Sequence, residues 1–424
     1  MKYCEMSPEQ LAAERASLQS RYDELKAMGL KLNMARGVLS AEQLELTHGM
    51  LNILSTKEDC FAEAGTDCRN YGILDGLPEM KKIFADMLEV TTDCVIVGGN
   101  ASLNLMYDTV ARNMLYGTED VKEPWAGKKI KFLCPVPGYD RHFAICESLG
   151  IEMINVPLNS DGPDMDMVEE LVSKDDSIKG MWCVPKYANP TGDVYSDRVI
   201  TRLASMKPAA KDFRIMWDNA YIVHSLYGEP AKQLNILDEV KKYGNDNMVY
   251  VFASTSKISF PGAGVAVMAS SPQNIAAIKK VMTVQTIGHD KLNQLRHVRY
   301  FGSMDGIAEQ MKRHAAIIAP KFRLVDRIFT ERLGGLEIAS WTKPEGGYFI
   351  SLDVPEGCAT KVYNMMSDLG VTLTPAGATY PYRRDPKDAN LRIAPTFPPL
   401  DELEQACEAL CLCVKIAAID KHLA

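Results

Sequence analysis

The sequence predicts an α/β protein with a large domain built on a mostly parallel, seven-stranded sheet and a smaller α+β domain. Three observations support this fold class. Short apolar runs recur from Thr92 onward, and helical segments separate most of them, as in parallel sheets covered by helices on both faces. After about residue 306 this alternation stops. The chain has 424 residues, enough for a second domain.

The predicted strands are continuous apolar runs, which is typical of strands buried on both faces of a sheet. They lie at residues 94–97, 130–134, 152–156, 180–184, 214–217, 249–253 and 265–269. The helical segments between them include residues 103–116 and 165–172.

The small domain is predicted to combine the two ends of the chain. Ser7 and Gln10 can form a capping box around Pro8, so a first helix is expected to run to about Met28. The C-terminal region reads as a long helix, two strands and a last helix, at residues 306–332, 348–352, 391–394 and 400–419. We expect a large domain over residues 60–305 and a discontinuous small domain over residues 1–59 and 306–424.

Composition and charge exclude several classes of function. The net charge is -8 and no long basic run occurs, which argues against a nucleic-acid partner. The 11 cysteines have no His at ligand spacing, so we expect reduced thiols and no metal site. The N-terminus lacks the apolar core of a signal peptide, and no apolar stretch is long enough to span a membrane. We therefore expect a cytoplasmic protein.

Four motifs carry the candidate chemistry, and each also fits an ordinary structure when taken alone. Lys257 ends S-T-S-K after a buried strand, where a lysine is unusual unless it has a task. Asp218 ends another apolar strand, with Tyr221 three residues on; the alternative is a helix cap. Asn189 opens N-P-T-G, which is also a turn sequence. Residues 98–102 place glycines before a helix, as in anion sites.

In this order and spacing, the motifs resemble the fold-type I, pyridoxal 5′-phosphate (PLP)-dependent aminotransferases of class I/II. The chain has the group's N-P-T-G at 189–192, D-x-x-Y at 218–221, S-x-S-K at 254–257 and R-I-A at 392–394. The resemblance covers about residues 65–398. Further segments look like the MocR-like subgroup, which includes type Ic aspartate aminotransferases; they are residues 69–72, 137–142, 185–189, 254–257 and 374–379.

The resemblance implies a role for each matching residue. Lys257 would hold PLP as a Schiff base and move the proton during catalysis. Asp218 would pair with the pyridine nitrogen, while Tyr221 and Asn189 would bind the phenolic oxygen. A buried carboxylate at that nitrogen keeps it protonated, which PLP needs in order to act as an electron sink.

Further implied roles concern the phosphate, the ring and the substrate. The phosphate would be held by Asn100, Ala101, Ser102, Ser254 and Ser256. Tyr139 would stack on the ring, and Tyr71 would reach the phosphate of the partner subunit in a homodimer. Arg392 would bind the substrate α-carboxylate through its planar fork. Gly37 would lie over the substrate, and Asn189 would be a further substrate-binding residue.

Two departures from the group's pattern are present. Many relatives carry an arginine for the phosphate eight residues after the lysine, but Val265 stands there. Lys186 and Arg141 are candidate replacements, without a choice between them. The subgroup's G-K-P near the N-terminal substrate loop is replaced by residues 37–39, Gly-Val-Leu.

The preferred function is ping-pong transamination from an amino acid to a 2-oxo acid. Aspartate and 2-oxoglutarate are the expected pair on the subgroup resemblance alone, with Arg36 or Arg141 as candidates for the distal carboxylate. One alternative is another PLP enzyme on the same fold, either a β-lyase or an aminotransferase for a different amino acid. Another is a non-catalytic PLP-binding regulatory module, although the residues before Arg69 leave no room for a winged helix-turn-helix domain.

Overall fold

The computed structural model describes residues 2–424. The α-helices are α1 (Pro8–Ala27), α2 (Ala41–Glu45), α3 (Pro78–Leu88), α4 (Ser102–Tyr116), α5 (Asp140–Ser148), α6 (Met165–Lys174), α7 (Asp197–Ser205), α8 (Ile236–Lys241), α9 (Pro272–Gln285), α10 (Lys291–Phe301), α11 (Met304–Leu333), α12 (Ala359–Asp368) and α13 (Leu400–Leu423). The strands are β1 (Leu32–Asn33), β2 (Val95–Val97), β3 (Lys131–Val136), β4 (Glu152–Asn159), β5 (Gly162–Pro163), β6 (Ile178–Cys183), β7 (Arg214–Asp218), β8 (Val249–Ser254), β9 (Ala266–Ala269), β10 (Ser340–Trp341), β11 (Ile350–Asp353), β12 (Val371–Thr372) and β13 (Asn390–Ile393).

The main sheet has the strand order β2-β9-β8-β7-β6-β3-β4-β5. Strands β8, β7, β6, β3 and β4 run parallel to their neighbours in that series, and β9 is antiparallel to both of its own. The prediction of a mostly parallel, seven-stranded sheet is therefore confirmed. The eighth strand, β5, is a two-residue segment that turns back on the end of β4 and is too short to leave an apolar run.

Helices cover both faces of this sheet. On one face, side chains of α3, α6, α7 and α8 pack against the apolar strands, with Phe84, Val168 and Leu203 among the buried residues. On the other face, α4, α5 and α9 contribute Met106, Phe143 and Ile275, respectively, to a second apolar layer. The strands are consequently buried on both sides, which explains why their sequences do not alternate.

The two ends of the chain fold together into a smaller α+β unit. Strands β10, β11 and β13 form an antiparallel sheet, and β1 pairs in parallel with β12. Helix α1 packs on α13, and Arg15 donates to Asp420 at 2.6 Å across that contact. The predicted capping box is present: the Ser7 backbone N–H donates to Gln10 Oε1 at 2.8 Å, and Ser7 Oγ accepts from the Gln10 backbone N–H.

The division into residues 60–305 and residues 1–59 plus 306–424 stays a proposal. Most of the apolar side chains of the two ends belong to one core cluster, but Met50 and Ile307 are buried in the core of the large sheet. Within residues 2–424, no helix combines the length and the apolar character that crossing a membrane requires.

Candidate active site

A cavity of about 220 Å³ lies where the carboxyl ends of β6, β7 and β8 meet the N-terminus of α4. Parallel strands bring their carboxyl ends to the same edge of a sheet, so residues far apart in sequence converge there. The predicted cofactor residues that line this cavity are Ala101, Ser102, Tyr139, Asn189, Asp218, Tyr221, Ser254, Ser256 and Lys257.

Lys257 extends into this cavity three residues after the end of β8. Its Nζ lies 5.1 Å from the ring centre of Tyr221 and 5.7 Å from that of Tyr348. Burial lowers the pKa of the Lys257 ammonium, the Asp218 carboxylate opposes that shift, and Arg392 adds to it. A depressed pKa favours the neutral amine, which is the form that attacks a carbonyl carbon.

Asp218 is the last residue of β7 and is held from behind by a buried histidine. His142 Nε2 lies 2.9 Å from Asp218 Oδ2, and the imidazole stacks on Trp182 with ring centres 4.3 Å apart and planes 6° apart. Asp218 Oδ1 is buried and has no hydrogen-bond partner anywhere in residues 2–424. One carboxylate oxygen is thus fixed while the other remains free for a donor in the cavity.

Tyr221, Tyr139 and Asn189 form the walls beside this carboxylate. Burial raises the pKa of Tyr221 well above its usual range and that of Tyr139 to about 12, so both phenols stay protonated at neutral pH and can donate hydrogen bonds. Asn189 Oδ1 accepts from Arg392 Nη1 at 3.4 Å. That contact leaves the amide N–H₂ group of Asn189 as a donor toward the cavity.

The opposite end of the cavity is suited to an anion. Ala101 is the N-cap of α4 and has no polar side chain to satisfy the first backbone N–H groups of the helix. Ser254 Oγ donates to Ser256 Oγ at 3.0 Å, and Ser256 Oγ donates to the Asn100 carbonyl at 3.3 Å. Backbone amides, two hydroxyls and a helix N-terminus therefore converge, as at phosphate sites. Asn100 itself lies just outside this cavity.

Helix α10 carries a candidate for the positively charged side chain that would replace the missing phosphate-binding arginine. Lys186 lines a separate cavity of about 590 Å³ with Trp217 and Asn219, and Arg141 lines an open depression beside α4. Arg296 lines a small cavity directly behind the loops 98–100 and 262–265. In the described part of the chain, its buried Nε has no hydrogen-bond partner.

Arg392, on β13, reaches the cavity rim from the small α+β unit. Its Nη1 donates to Asp140 Oδ1 at 2.8 Å, and its Nη2 donates to Thr374 Oγ1 at 3.3 Å. The guanidinium lies over the ring of Phe349, 5.0 Å from the ring centre. Gly37 packs on that same ring, where an added Cβ would stand 2.6 Å from Phe349 Cζ. Close packing on Phe349 is thus one physical reason for glycine at position 37.

Tyr71 does not enter the cavity of its own chain, because its side chain is 81% exposed. It adjoins a surface with other exposed apolar side chains, including Val284 (84% exposed) and Ile287. Lys291 Nζ donates to the Gly72 carbonyl at 3.0 Å and holds these two segments together.

Four residues at the site were missed or left unassigned by the motif reasoning. Asp140 lies in the segment 137–142 that resembles the subgroup, but the resemblance gave it no role, and Arg296 lies on a helix face that no motif marks. Tyr348 approaches Lys257 from the other unit of the fold. The resemblance implies no role for His142, although a histidine in the first turn after P-G-Y, in a chain whose Asp218 ends a strand, is an indication that the sequence carries.

Comparison with known proteins is consistent with this geometry. The family model described as aspartate amino-transferase matches residues 6–424. A protein of Mycolicibacterium smegmatis, whose name assigns it only to the aminotransferases, is 49% identical over 425 residues, which are 100% of this chain and 99% of that protein. The aspartate aminotransferase of Corynebacterium glutamicum is 45% identical over 415 residues, 98% of this chain and 96% of that one.

Solved structures show the same relationship. The crystal structure of an aspartate transaminase from Corynebacterium glutamicum superimposes with a TM-score of 0.97 at 44% identity and covers 100% of both chains. The α-aminoadipate aminotransferase LysN of Thermus thermophilus, solved with N-(5′-phosphopyridoxyl)-L-leucine, has a TM-score of 0.75 at 18% identity and covers 92% of this chain and 93% of that one, which shows the shared fold. The chain therefore belongs to the aspartate aminotransferase family of fold-type I aminotransferases, whose fold and chemistry imply PLP as cofactor.

Proposed function

We propose that this aminotransferase moves the amino group of aspartate to 2-oxoglutarate by a ping-pong Schiff-base mechanism. The observation that carries the proposal is one cavity in which the enclosed amine of Lys257 faces the free oxygen of Asp218, with Arg392 at its rim. The 45% identity to an aspartate aminotransferase supports the choice of substrate.

The residues present fit PLP. The unpartnered Asp218 Oδ1 would accept from the protonated pyridine nitrogen, while Tyr221 and Asn189 would donate to the phenolic oxygen. Tyr139 would stack on the ring, an interaction worth roughly 0.5–1.5 kcal/mol beyond area burial. The phosphate would occupy the end formed by Ser254, Ser256 and the loop 100–102, with Arg296 supplying positive charge from behind that loop.

When bound, PLP supplies an electron sink that stabilises negative charge at the substrate Cα. Lys257 Nζ would remove the Cα proton, and burial, which lowers the pKa of its ammonium, favours the neutral amine needed for this step. Tyr221 and Tyr348 flank the amine and keep bulk water from it. Asp218, fixed by His142, would stay in place opposite the ring nitrogen.

Arg392 would bind the substrate α-carboxylate bidentately, and this orients Cα toward Lys257. Gly37 and Phe349 would close over that carboxylate. The distal carboxylate of aspartate has two candidate partners, Arg36 and Arg141, and both side chains are exposed.

We further infer that the enzyme is a homodimer with composite active sites. The apolar surface formed by Tyr71, Tyr107, Val284 and Ile287 adjoins α4, whose N-terminus lines the cofactor cavity. Gln285 Nε2 donates to Asp108 Oδ2 at 3.2 Å, so α9 and α4 present this surface together. A second copy seated there would bring its Tyr71 to the phosphate end of this chain's cavity.

A steady-state assay tests the proposed reaction. The purified enzyme with PLP should convert L-aspartate and 2-oxoglutarate to oxaloacetate and glutamate, with parallel lines in double-reciprocal plots. Release of ammonia and an oxo acid without any 2-oxo acid acceptor would instead indicate a lyase. Activity with another amino acid and none with aspartate would support an aminotransferase but exclude aspartate as its substrate.

A further inference from the structure

The guanidinium of Arg392 is already occupied by a carboxylate of its own chain. Arg392 Nη1 donates to Asp140 Oδ1 at 2.8 Å. Arg392 is 7% exposed, whereas the Asp140 side chain is 34% exposed. A buried guanidinium is costly without a counter-charge, so this pair compensates Arg392 when no substrate is present.

Asp140 occupies the nitrogen of Arg392 that faces the cofactor cavity. The same Nη1 lies 3.4 Å from Oδ1 of Asn189, a residue that lines the cavity. Nη2 is held on its other side by Thr374 Oγ1, whose hydroxyl also donates to the Ala35 carbonyl at 2.6 Å. A substrate carboxylate that approaches from the cavity therefore meets Nη1 already bonded to Asp140, while the buried Nε of Arg392 has no hydrogen-bond partner within residues 2–424.

The Asp140 carboxylate would still be stabilised after its displacement from Arg392. It is the first residue of α5, where the helix dipole favours a negative charge. Its partial exposure lets water solvate the released carboxylate. When a substrate carboxylate replaces Asp140 on Arg392, neither Arg392 nor Asp140 is consequently left as an uncompensated buried charge.

We propose that Asp140 is an internal competitor for the substrate carboxylate, paired with Arg392 in the substrate-free enzyme and displaced when substrate binds. This inference rests on the proposed role of Arg392. The pairing lowers the apparent affinity for every carboxylate ligand by the fraction of enzyme in which Arg392 is free. Asp140 is thus a positioning residue that sets KM.

The test is ligand binding to the PLP-loaded enzyme and its Asp140→Asn variant. The probes are succinate and propionate, which do not react, and calorimetry gives their Kd values. We expect both Kd values to fall at least about fivefold in Asp140→Asn, because the competing charge is gone. The KM for aspartate should fall in parallel, with kcat less affected. Asp140→Ser serves as a second variant, in case the first one folds poorly.

Two controls make the result specific to the pair. Glu147→Gln removes one negative charge from the exposed end of the same helix and should leave Kd unchanged. In an Arg392→Gln background, Asp140→Asn should have no further effect, since the two residues act on one interaction.

An unchanged or weakened Kd in both Asp140 variants would overturn the inference and make Asp140 an orienting partner of Arg392. Binding requires no turnover, so this outcome is separable from failure of the proposed reaction. Tighter succinate binding by an enzyme that is inactive with aspartate would reject only the proposed substrate.

Discussion

The chemistry of the site depends on a few side chains whose charge is set by their surroundings. Burial lowers the pKa of the Lys257 ammonium, while His142 holds one oxygen of Asp218 from the side that faces away from the cavity. The imidazole is itself held by its stack on Trp182. Removing His142 therefore leaves the catalytic groups in place but loosens the carboxylate.

The hydrogen bond from His142 to Asp218 should contribute to turnover. His142→Asn should lower kcat with aspartate roughly ten- to a hundredfold, because a hydrogen bond to a charged group is worth about 1.5–3 kcal/mol. The KM for aspartate should change little, since Arg392 is not involved. Steady-state kinetics check this, with Trp182→Phe as a control that keeps an aromatic stacking partner. An unaltered kcat would show that Asp218 needs no support.

At the residue scale, the local motifs name residues that the structure brings together around Lys257. Asn189, Asp218 and Lys257 follow strand ends, and parallel strands bring such ends together. Asp140 and Arg296 were not predicted in their present places, because they act through neighbours that only the folded chain supplies. An ion pair between residues 252 positions apart leaves no periodic trace in sequence.

At the element scale, α10 is the helix that places a cation behind the anion loop. Arg296→Met should weaken PLP binding and leave KM for aspartate nearly unchanged once the enzyme is saturated with cofactor. The reason is the loss of the one positive charge proposed for the phosphate end. Equilibrium dialysis against PLP measures the effect, and Arg299→Met on the exposed side of the same helix is the matched control. Equal PLP affinity in both variants would remove Arg296 from the site.

Helix α11 carries a buried imidazole that ties three segments together. His314 Nε2 lies 3.0 Å from the Ile258 carbonyl and must donate to it, so Nδ1 accepts from Gln43 Nε2 at 2.9 Å. Gln43 also donates to the Tyr348 hydroxyl at 2.9 Å. This arrangement links the residue after Lys257 to the segment that follows the substrate loop.

Burial lowers the pKa of His314 from 6.5 to about 4, so folding excludes the proton that the unfolded chain takes up below pH 6.5. Stability should therefore fall as the pH drops from 6.5 toward 4, by roughly 3 kcal/mol for this residue at the lower limit. The His314→Gln variant should have a lower free energy of unfolding at pH 7, and this free energy should decrease less than that of the wild type on acidification. Urea unfolding at pH 7 and 4.5 tests this, with exposed His422→Asn as control. If the unfolding free energies of the wild type and His314→Gln changed equally with pH, the proposed effect of His314 would be contradicted.

Most elements were predictable because burial on both faces leaves long apolar runs. The boundaries of the seven main strands differ from their predicted positions by at most three residues. The two-residue strands β1, β10 and β12 were not predicted. Two residues are too few to show a hydrophobic periodicity, and their pairing depends on tertiary contacts. Helix α11 continues through Pro320, which local propensity alone would place at a helix end.

At the scale of the whole molecule, the exposed apolar surface around Tyr71 predicts a dimer with shared active sites. Ile287→Glu should dissociate the dimer and abolish activity, as seen by sedimentation, because a charge would be buried against the partner. Leu423→Glu, at an exposed apolar position on α13, should do neither.

Mixing subunits tests whether the sites are shared. Tyr71→Ala and Lys257→Ala chains should each have little activity, yet a mixed dimer contains one site with both residues intact. Activity should return after the two are unfolded and refolded together. A mixture no more active than its components would place Tyr71 outside the neighbouring site.

The most direct test of the central claim is the absorbance spectrum of the purified protein before and after L-aspartate is added. We expect a band near the visible edge from cofactor joined to Lys257, which shifts to shorter wavelength with aspartate and returns with 2-oxoglutarate. Lys257→Ala should lack the starting band. A protein that binds PLP but does not respond to aspartate would contradict the proposed substrate, and one that binds no PLP would contradict the account as a whole.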